Sequence, residues 1–301
     1  MKRLKIGVLM GGKSPEHKVS LASGEEVFKH LDRAKYDPFK LLINHDGSFG
    51  FPSSLIRKMD VVFVALHGPY GEDGIIQGFL DTLRVKYTGS GVLASAIGMN
   101  KILSKVLWVS KNLPVVPFNI VSSTLDCKKF DPPFVLKPSS QGSSIGVSLV
   151  ENENEIAVAY EKAAAFGNAV MLEPYISGLE ITVGVLGSED PYALPIVEIV
   201  PRRKFFDYEA KYTEGMASEI VPARISKELT LKAQNVAVGA FKTLGCRGFG
   251  RVDMFICNNE HILVSEINTI PGLTSNSLLP KAAKAAGIGF SELIDKIISL
   301  V

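Results

Sequence analysis

Residues 248–272, GFGRVDMFICNNEHILVSEINTIPG, contain the pattern that most limits the fold of this chain. Two apolar runs with alternating polar residues flank the pair Asn258-Asn259. Successive side chains of a strand point to opposite faces, and Asn tolerates the positive φ of a tight turn. The pattern therefore predicts two antiparallel strands, Phe249–Cys257 and 261–267, joined by a two-residue loop in which residue 257 pairs with residue 260.

The predicted hairpin gathers polar side chains on one face. If residue 251 pairs with residue 266, that face carries Arg251, Asp253, Glu266 and Asn268. Carboxylate and amide oxygens are hard ligands that suit magnesium better than zinc, and a neighbouring arginine indicates phosphate or a developing oxyanion. A solvated polar face with cross-strand ion pairs is the simpler interpretation, and the hairpin pattern alone leaves both open.

The first third of the chain alternates short apolar runs with helical patterns. This alternation predicts a parallel sheet covered by helices, with strands over residues 5–10, 39–44 and 61–66 and a helix over 19–31. Ligands bind at the carboxyl ends of such strands. Two glycine-rich, charged loops follow strands there, at residues 11–17 and 67–74, and are predicted substrate loops.

The remaining two thirds predict a small α+β lobe and then a further set of strands and helices. The predicted elements are a helix over 93–111, strands over 134–137 and 145–150, a helix over 153–166, strands over 170–173, 180–186 and 195–200, a helix over 227–244 and a helical tail over 280–300. The predicted fold class is therefore α/β combined with α+β, with a Rossmann-like parallel-sheet domain at the N-terminus.

Residues 134–147, FVLKPSSQGSSIGV, predict a strand, a flexible loop and a second strand. Exposed backbone N–H groups and serine hydroxyls of such a loop can fold over phosphates, and Lys137 is placed to reach an α- or β-phosphate. The segment lacks the Gly-Lys-Ser/Thr of a Walker A loop. A mobile hairpin loop is an equally open interpretation of this segment taken alone.

The segment 268–280 leads into an Ala- and Lys-rich helix that Ser277 is predicted to cap. Helix N-termini hold carboxylates through free N–H groups and the helix dipole. An ordinary cap is the simpler interpretation. A site for a substrate carboxylate becomes credible because the predicted metal ligands lie just upstream.

Composition and charge exclude several classes of protein. The 301 residues include 33 basic and 31 acidic side chains, a net charge of +2 that is too balanced for a nucleic-acid binder or a polybasic membrane anchor. Cys127, Cys246 and Cys257 lack the spacing of a metal site or a disulfide framework. The apolar run near the N-terminus is interrupted by Lys5 and is too short for a signal peptide or a membrane span. We therefore predict a cytoplasmic protein.

Six segments, taken together, resemble the D-alanine–D-alanine ligases of the ATP-grasp superfamily, in that family's order. They are residues 11–20, 67–74, 89–95, 137–146, 207–212 and 245–277. The resemblance implies an ATP-grasp fold with an N-terminal α/β substrate domain at 1–95, a small central lobe at 96–180 and a C-terminal lobe at 181–301 that carries the metal and substrate sites. It implies that ATP drives the ligation of two D-alanines through an acyl phosphate, for peptidoglycan precursors, in a protein that is usually a homodimer.

The resemblance also implies roles for individual residues. Nucleotide binding falls to Lys101, Lys137, Ser143, Ser144, Glu173, Ile176, Glu180 and Lys211. The residues implied to bind two Mg²⁺ ions, with Mn²⁺ as an alternative, are Asp253, Glu266 and Asn268. Glu16 receives the ammonium of the first D-alanine in a network with Ser143 and Tyr212, and His67 lies where that substrate is held. Arg251 and the Gly272 N–H stabilise an oxyanion, while Ser277 and Leu278 hold the second carboxylate.

Two positions depart from the family pattern, and three rival functions stay open. Pro174 and Gln141 stand where many members carry Lys and Glu, which predicts some change in nucleotide affinity because proline lacks an N–H. The segment 202–215 is a predicted lid that keeps water from the acyl phosphate. Tyr212 in this segment disfavours a D-alanine–D-lactate ligase, because the dipeptide-forming members of the family keep a Tyr in the lid. An NAD-dependent oxidoreductase is disfavoured by the absent glycine fingerprint, and a non-catalytic nucleotide-binding regulator by the complete set of metal ligands.

Overall fold

Three sheets organise the parts of the chain that the computed structural model describes, residues 3–167, 169–201, 217–258 and 260–301. The N-terminal part contains β1 (Leu4–Gly11), α1 (His17–His30), β2 (Tyr36–Ile43), α2 (Ser53–Ile56), β3 (Val61–Val64) and α3 (Ile75–Thr82). Its strands form a parallel sheet in the order β2-β1-β3, which confirms the predicted α/β arrangement. The last six residues of β1 are all buried, as expected for a parallel strand covered on both faces.

A sharp bend separates two helices that the sequence predicts as one. Instead of a single helix over 93–111, the chain forms α4 (Val92–Met99) and α5 (Lys101–Ser110), bent by 104°. The break lies at Asn100, whose backbone is extended and whose side chain accepts a hydrogen bond from the Leu103 N–H at 3.1 Å. The prediction is wrong because the apolar pattern runs through both helices, whereas the break depends on one capping side chain. Within the described part of the chain, no single helix is long and apolar enough to cross a bilayer. The bent pair of α4 and α5 has that length and apolar character only when the two helices are taken together.

An antiparallel sheet of four strands forms the middle of the chain. The elements are β4 (Asn119–Val121), α6 (Thr124–Cys127), β5 (Phe134–Pro138), β6 (Ser148–Val150), a 3-10 turn (Glu153–Glu155), α7 (Ile156–Ala164) and β7 (Val170–Pro174), and the strand order is β4-β7-β5-β6. The strand predicted over 145–150 begins only at Ser148, because turns occupy the residues before it. The Val147 N–H donates to the Ser144 carbonyl, and Ser143 and Ser144 both have positive φ.

The third sheet contains the predicted hairpin of residues 249–268. Its strands are β8 (Leu179–Leu186), β9 (Tyr192–Ala193), β10 (Val197–Pro201), β11 (Ala217–Ile220), β12 (Phe249–Cys257) and β13 (His261–Asn268), in the order β11-β10-β8-β12-β13 with β9 paired to β8. The helices of this part are α8 (Lys227–Thr243), α9 (Leu278–Ala285) and α10 (Phe290–Ser299). The tail predicted as one helix over 280–300 is therefore two helices, which Gly287 separates with a φ of +80°.

The register of the β12–β13 hairpin differs from the prediction. Cys257 pairs with His261 rather than with residue 260, and a β-bulge then shifts the pairing between Met254 and Asp253. As a result Asp253 lies opposite Glu266, and Arg251 lies opposite Asn268. Without the bulge Asp253 would face Ser265, and Glu266 would point to the other side of the sheet. The four polar side chains thus share one face as predicted, although the two-residue loop was wrong; Asn259 lies outside the described residues.

The C-terminal helices close the molecule against the N-terminal sheet. Leu293, Ile294 and Ile297 of α10 are fully buried in the same apolar cluster as Ile6 and Val8 of β1. This shared core brings the segment after β13 against the loop after β3. The loop at residues 67–74 and the segment at 268–280, which are far apart in the sequence, therefore meet in one place.

Candidate active site

A cavity between the central and C-terminal sheets contains most of the predicted nucleotide residues. Strands β5 and β7 supply one wall, and β8, β12 and β13 supply the other. The predicted residues that line it are Lys101, Lys137, Ser144, Glu173, Ile176, Glu180, Asp253 and Glu266. Gln141 and Pro174, the two departures from the family pattern, also line it. Lys211 lies outside the described residues.

The carboxylates of this cavity are paired with lysines. Lys137 Nζ lies 2.7 Å from Oε2 of Glu173, and Lys101 Nζ lies 3.2 Å from Oε2 of Glu266. Lys101 Nζ also donates to the backbone carbonyl of Gln141 at 2.5 Å, so this bond does not depend on the Gln141 side chain. Lysines held in this way are available to an incoming polyanion that competes with the carboxylates.

The hairpin face between the two sheets is buried and held by directed hydrogen bonds. Arg251 Nε and Nη2 donate to Oδ1 and Oδ2 of Asp253 at 2.8 and 2.9 Å, a two-pronged pair. Thr182 Oγ1 of β8 also donates to Asp253 Oδ1, at 2.5 Å. Burial lowers the pKa of Arg251, but the carboxylates of Asp253, Glu266 and Glu72 together raise it more, so the guanidinium pKa lies above its ordinary value. The cation at this position therefore stays charged.

The predicted metal ligands fit an ion that arrives with phosphate better than a metal held by protein alone. Asp253, Glu266 and Asn268 offer two carboxylates and one amide on the shared hairpin face. In the ranges that the structure describes, no group of three or more His, Cys, Asp and Glu side chains is arranged to hold a metal. Magnesium is commonly bound by one or two carboxylates together with substrate phosphates, which is the donor set present here.

A second, larger cavity of about 780 Å³ contains the predicted substrate residues. It has room for two small amino acids. Its lining includes Glu16, His67, Ser143, Arg251, Asn268, Gly272, Ser277 and Leu278. The two cavities meet, because Lys101, Gln141 and Glu266 line both of them.

Glu16 joins three loops at the wall of the larger cavity. Ser143 Oγ donates a hydrogen bond to Glu16 Oε1. The Glu16 N–H donates to Ser14 Oγ at 3.1 Å, and Ser14 Oγ donates to the His67 carbonyl at 2.5 Å. The loop after β1 is therefore tied to the loop after β5 through the Glu16 carboxylate and to the loop after β3 through the Ser14 hydroxyl. Tyr212, the third member of the predicted network, lies outside the described residues, as does the whole predicted lid at 202–215.

His67 lies in the wall of the cavity with both ring nitrogens bonded. Nδ1 lies 2.9 Å from the Ile270 carbonyl and must donate to it, because a carbonyl can only accept. Nε2 lies 2.9 Å from Ser23 Oγ, and Glu72 Oε1 lies 3.6 Å from Nδ1. Burial lowers the pKa of His67, but Glu72, Glu16 and the Ile270 carbonyl together raise it more, and the pKa lies above its ordinary value. Burial raises the pKa of Glu72.

Gly272 and Ser277 lie together at the start of α9. A Cβ at Gly272 would lie 2.8 Å from Ser277 Oγ, so any other residue there would displace that hydroxyl. Ser277 occupies the N-cap position, but its side chain does not cap the helix. Its Oγ instead accepts from the Thr274 N–H at 3.1 Å and lies 2.8 Å from Thr274 Oγ1. The predicted capping hydrogen bond is therefore wrong, and the first amides of α9 do not receive the Ser277 hydroxyl.

Four residues that support the site were not predicted from the sequence. Ser23 and Glu72 orient His67, Thr182 holds Asp253, and Lys105 is paired with Glu173. Spacing carried a signal for two of them, because Glu72 lies in a loop already singled out and Lys105 follows Lys101 by one helical turn. Ser23 and Thr182 look like ordinary helix and strand residues and carried no signal.

Comparisons with known proteins place this arrangement in a family. The model of the D-ala D-ala ligase C-terminus matches residues 107–299, and the model of the D-ala D-ala ligase N-terminus matches residues 5–55 and 50–90. A D-alanine–D-alanine ligase of Syntrophobacter fumaroxidans is 44% identical over 309 residues, which cover 99% of this chain and 97% of that protein. One of Pelotomaculum thermopropionicum is 42% identical, over 99% of this chain and 96% of that protein.

Solved structures give the same result. The D-alanine–D-alanine ligase from Coxiella burnetii has a TM-score of 0.88 and 31% identity, over 100% of this chain and 94% of that chain. The VanG D-Ala:D-Ser ligase from Enterococcus faecalis has a TM-score of 0.87 and 31% identity, over 99% of both chains. The fold alone therefore does not distinguish a D-alanine–D-alanine ligase from a D-Ala:D-Ser ligase.

Proposed function

The chain belongs to the family of D-alanine–D-alanine ligases, and we propose how the residues of its two cavities divide the work of that reaction. It is an ADP-forming ligase that uses ATP to join two D-alanines, and its product serves peptidoglycan synthesis. The observation that supports the division of roles is that the two cavities share Lys101, Gln141 and Glu266. A nucleotide in the smaller cavity and amino acids in the larger one would meet there. An NAD-dependent oxidoreductase is not favoured by any of these comparisons.

The smaller cavity binds ATP in this proposal. Lys101 and Lys137 provide ammonium groups for the phosphates, with the hydroxyls and amides of Ser143 and Ser144 beside them. The adenosine lies among Glu173, Ile176 and Glu180. Lys211 completes the proposed set.

The hairpin face binds two Mg²⁺ ions, or Mn²⁺ in their place. Asp253, Glu266 and Asn268 would hold them, since their oxygens share one face beside the phosphate-binding lysines. The ions supply neutralisation of the negative charge on the transferring phosphoryl group.

The first step activates a carboxylate, which is otherwise a poor electrophile. The carboxylate oxygen of the first D-alanine takes the γ-phosphoryl group of ATP, so that an acyl phosphate forms and ADP leaves. Glu16 receives the ammonium of this D-alanine and is itself held by Ser143 and Tyr212. His67, oriented by Ser23 and Glu72, lines the place where the substrate is held.

The second step forms the peptide bond. The amine of the second D-alanine attacks the acyl carbon and loses a proton, and phosphate leaves with the electrons of the broken carbon–oxygen bond. Arg251 and the Gly272 N–H stabilise the tetrahedral oxyanion. The second carboxylate binds at Ser277 and Leu278, where α9 begins and its dipole favours an anion.

Phosphate release from ATP in the presence of single amino acids and pairs tests the function. We expect release that requires D-alanine and Mg²⁺, with D-alanyl-D-alanine as the product. Parallel reactions offer D-lactate or D-serine together with D-alanine at neutral pH. A mixed product that exceeds the dipeptide would replace the proposed second substrate, and release without any D-amino acid would contradict a ligase.

Three broader features complete the proposal. We infer a homodimer, supported by the resemblance to the family. We also infer a location in the cytoplasm, supported by the same resemblance and by cysteines that are not paired with one another in the described part of the chain. We also infer the division into an N-terminal part at 1–95, a central lobe at 96–180 and a C-terminal lobe at 181–301. Separate sheets in each of these parts support that division.

A further inference from the structure

Lys105 is a buried lysine to which the reaction described above gives no role. Its side chain is 0% exposed. Nζ donates to the Val116 carbonyl at 2.9 Å and lies 2.9 Å from Oε1 of Glu173, with the Phe118 ring centroid 5.7 Å away. A buried ammonium group costs free energy unless it is paired. Packing alone would therefore favour an apolar side chain at this position.

Glu173 is shared between two lysines, one on each carboxylate oxygen. Lys137 Nζ lies 2.7 Å from Oε2, and Lys105 Nζ lies 2.9 Å from Oε1. Lys137 lines the smaller cavity, whereas Lys105 does not and lies behind Glu173. The two lysines are thus placed differently: one can reach a ligand, and the other is confined to the carboxylate.

The charges show why both lysines are needed when a nucleotide binds. Phosphates that attract Lys137 would remove one of the two cations from Glu173. A buried carboxylate without a partner is strongly unfavourable, so the movement of Lys137 would be opposed if it were the only partner. With Lys105 in place, Glu173 keeps one full positive charge beside it. Burial lowers the pKa of Lys105 to about 8, and Glu173 opposes this shift.

We propose that Lys105 is a positioning residue that keeps Glu173 paired and in place while Lys137 passes from Glu173 to the phosphates of the nucleotide. The inference rests on the proposed assignment of Glu173 and Lys137 to the ATP site. It gives Lys105 no contact with the substrate. It predicts that loss of Lys105 weakens phosphate binding more than adenosine binding.

Direct binding measurements with ADP and with adenosine test this role. Lys105→Met removes the charge at similar size, and Lys105→Gln also removes it but keeps a donor for the Val116 carbonyl, which protects the test if the first variant does not fold. We expect both variants to bind ADP about tenfold more weakly, and adenosine with a much smaller loss. Equal losses for the two ligands would show a merely structural role, and an unchanged ADP affinity would also overturn the inference.

A matched control and a double-mutant cycle complete the experiment. Lys232→Met removes another lysine that donates to a backbone carbonyl, that of Glu260. Lys232 lines neither cavity, and its loss should leave ADP affinity unchanged. On a Glu173→Gln background, Lys105→Met should add less than about a twofold effect, because no carboxylate remains to be paired. If Glu173→Gln alone leaves ADP affinity unchanged, the ATP-site assignment fails. If only the Lys105 variants leave it unchanged, the inference about Lys105 fails by itself.

Discussion

Arg251 is the side chain on which peptide-bond formation depends most in this account. The Arg251 guanidinium donates hydrogen bonds to both carboxylate oxygens of Asp253, and it stays charged although it is buried. Arg251→Ala should reduce turnover by about 10²–10³, the usual effect of losing one oxyanion donor, while ADP binding is largely kept. Turnover from phosphate release and affinity from ADP titration measure the two effects separately. Arg251→Lys keeps the positive charge but not the paired N–H donors of the guanidinium, and should recover only part of the activity. Near-normal turnover in the alanine variant would count against the role of Arg251 as an oxyanion donor.

The pair of His67 and Glu72 predicts a pH-dependent contribution to stability. The folded-state pKa of His67 lies above its ordinary value because Glu72, together with Glu16 and the Ile270 carbonyl, outweighs burial. Stabilisation by the protonated ring is therefore complete below the unfolded pKa of about 6.5, and it is lost as pH rises through the folded pKa. Urea unfolding of the Glu72→Gln variant should show a larger deficit in unfolding free energy against the natural protein at about pH 6, below the unfolded pKa of His67, than near pH 9. A deficit that grows with pH would contradict this pairing.

Individual residues of the site were predictable where chemistry depends on side-chain type. The alternation around Asp253, Glu266 and Asn268 indicated a shared polar face, which the strand pairing confirms, but the pattern alone left a magnesium site and a solvated polar face both open. Ser23 and Thr182 were not predictable, because a hydroxyl in a helix or a strand usually has only local partners. Their roles arise from packing against residues far away in the chain, as with Ser23 and the Leu273 N–H.

The bend between α4 and α5 lies at one element boundary and affects the proposed ATP site. Asn100 caps α5, and the next residue, Lys101, donates its N–H to the Ser139 carbonyl. Asn100→Ala should lower the unfolding free energy by about 1 kcal/mol through loss of the cap, and it should weaken ADP binding because Lys101 is less firmly placed. Urea unfolding and ADP titration measure both effects. Asn100→Ser keeps a capping oxygen and serves as the control; an alanine variant as stable as the serine variant would show that the cap is unimportant.

The type of each long element followed from its hydrophobic period, whereas its ends and register did not. β12 has the predicted bounds, because alternation and flanking glycines define a strand strongly. The pairing with β13 depends on a loop one residue longer than predicted and on a bulge opposite Met254. The longer loop leaves no mark on the alternation, and the bulge appears only as two consecutive partly buried residues, Ser265 and Glu266, in β13, which a strictly alternating pattern does not predict.

At the scale of the whole molecule, burial rather than surface charge joins the two ends of the chain. Leu293 of α10 is fully buried in the N-terminal core, while Lys35 and Asp295 link the same regions at the surface at 2.5 Å. Leu293→Ala should lower the unfolding free energy by about 2–5 kcal/mol. Lys35→Ala should have little effect, because exposed ion pairs contribute little. Urea unfolding compares the two variants, and a Lys35 effect as large as that of Leu293 would reverse this ranking.

This closure is the part of the fold that single-sequence patterns reveal least. The helical pattern of 280–300 indicates an amphipathic tail but not the sheet against which it packs. The contact between the ends is what places His67 beside Ile270, more than 200 residues away in sequence. The family resemblance implied a shared site, while the physical reason for it is visible only in the packed structure.

Isotope transfer from substrate to phosphate tests most directly whether ATP-driven ligation proceeds through an acyl phosphate at this site. D-Alanine labelled with ¹⁸O in both carboxylate oxygens is incubated with the enzyme, ATP and Mg²⁺, and the released phosphate is analysed by mass spectrometry. We expect one ¹⁸O atom in each phosphate, because the oxygen that takes the phosphoryl group leaves with it when the second amine attacks. Unlabelled phosphate formed together with the dipeptide would contradict the account.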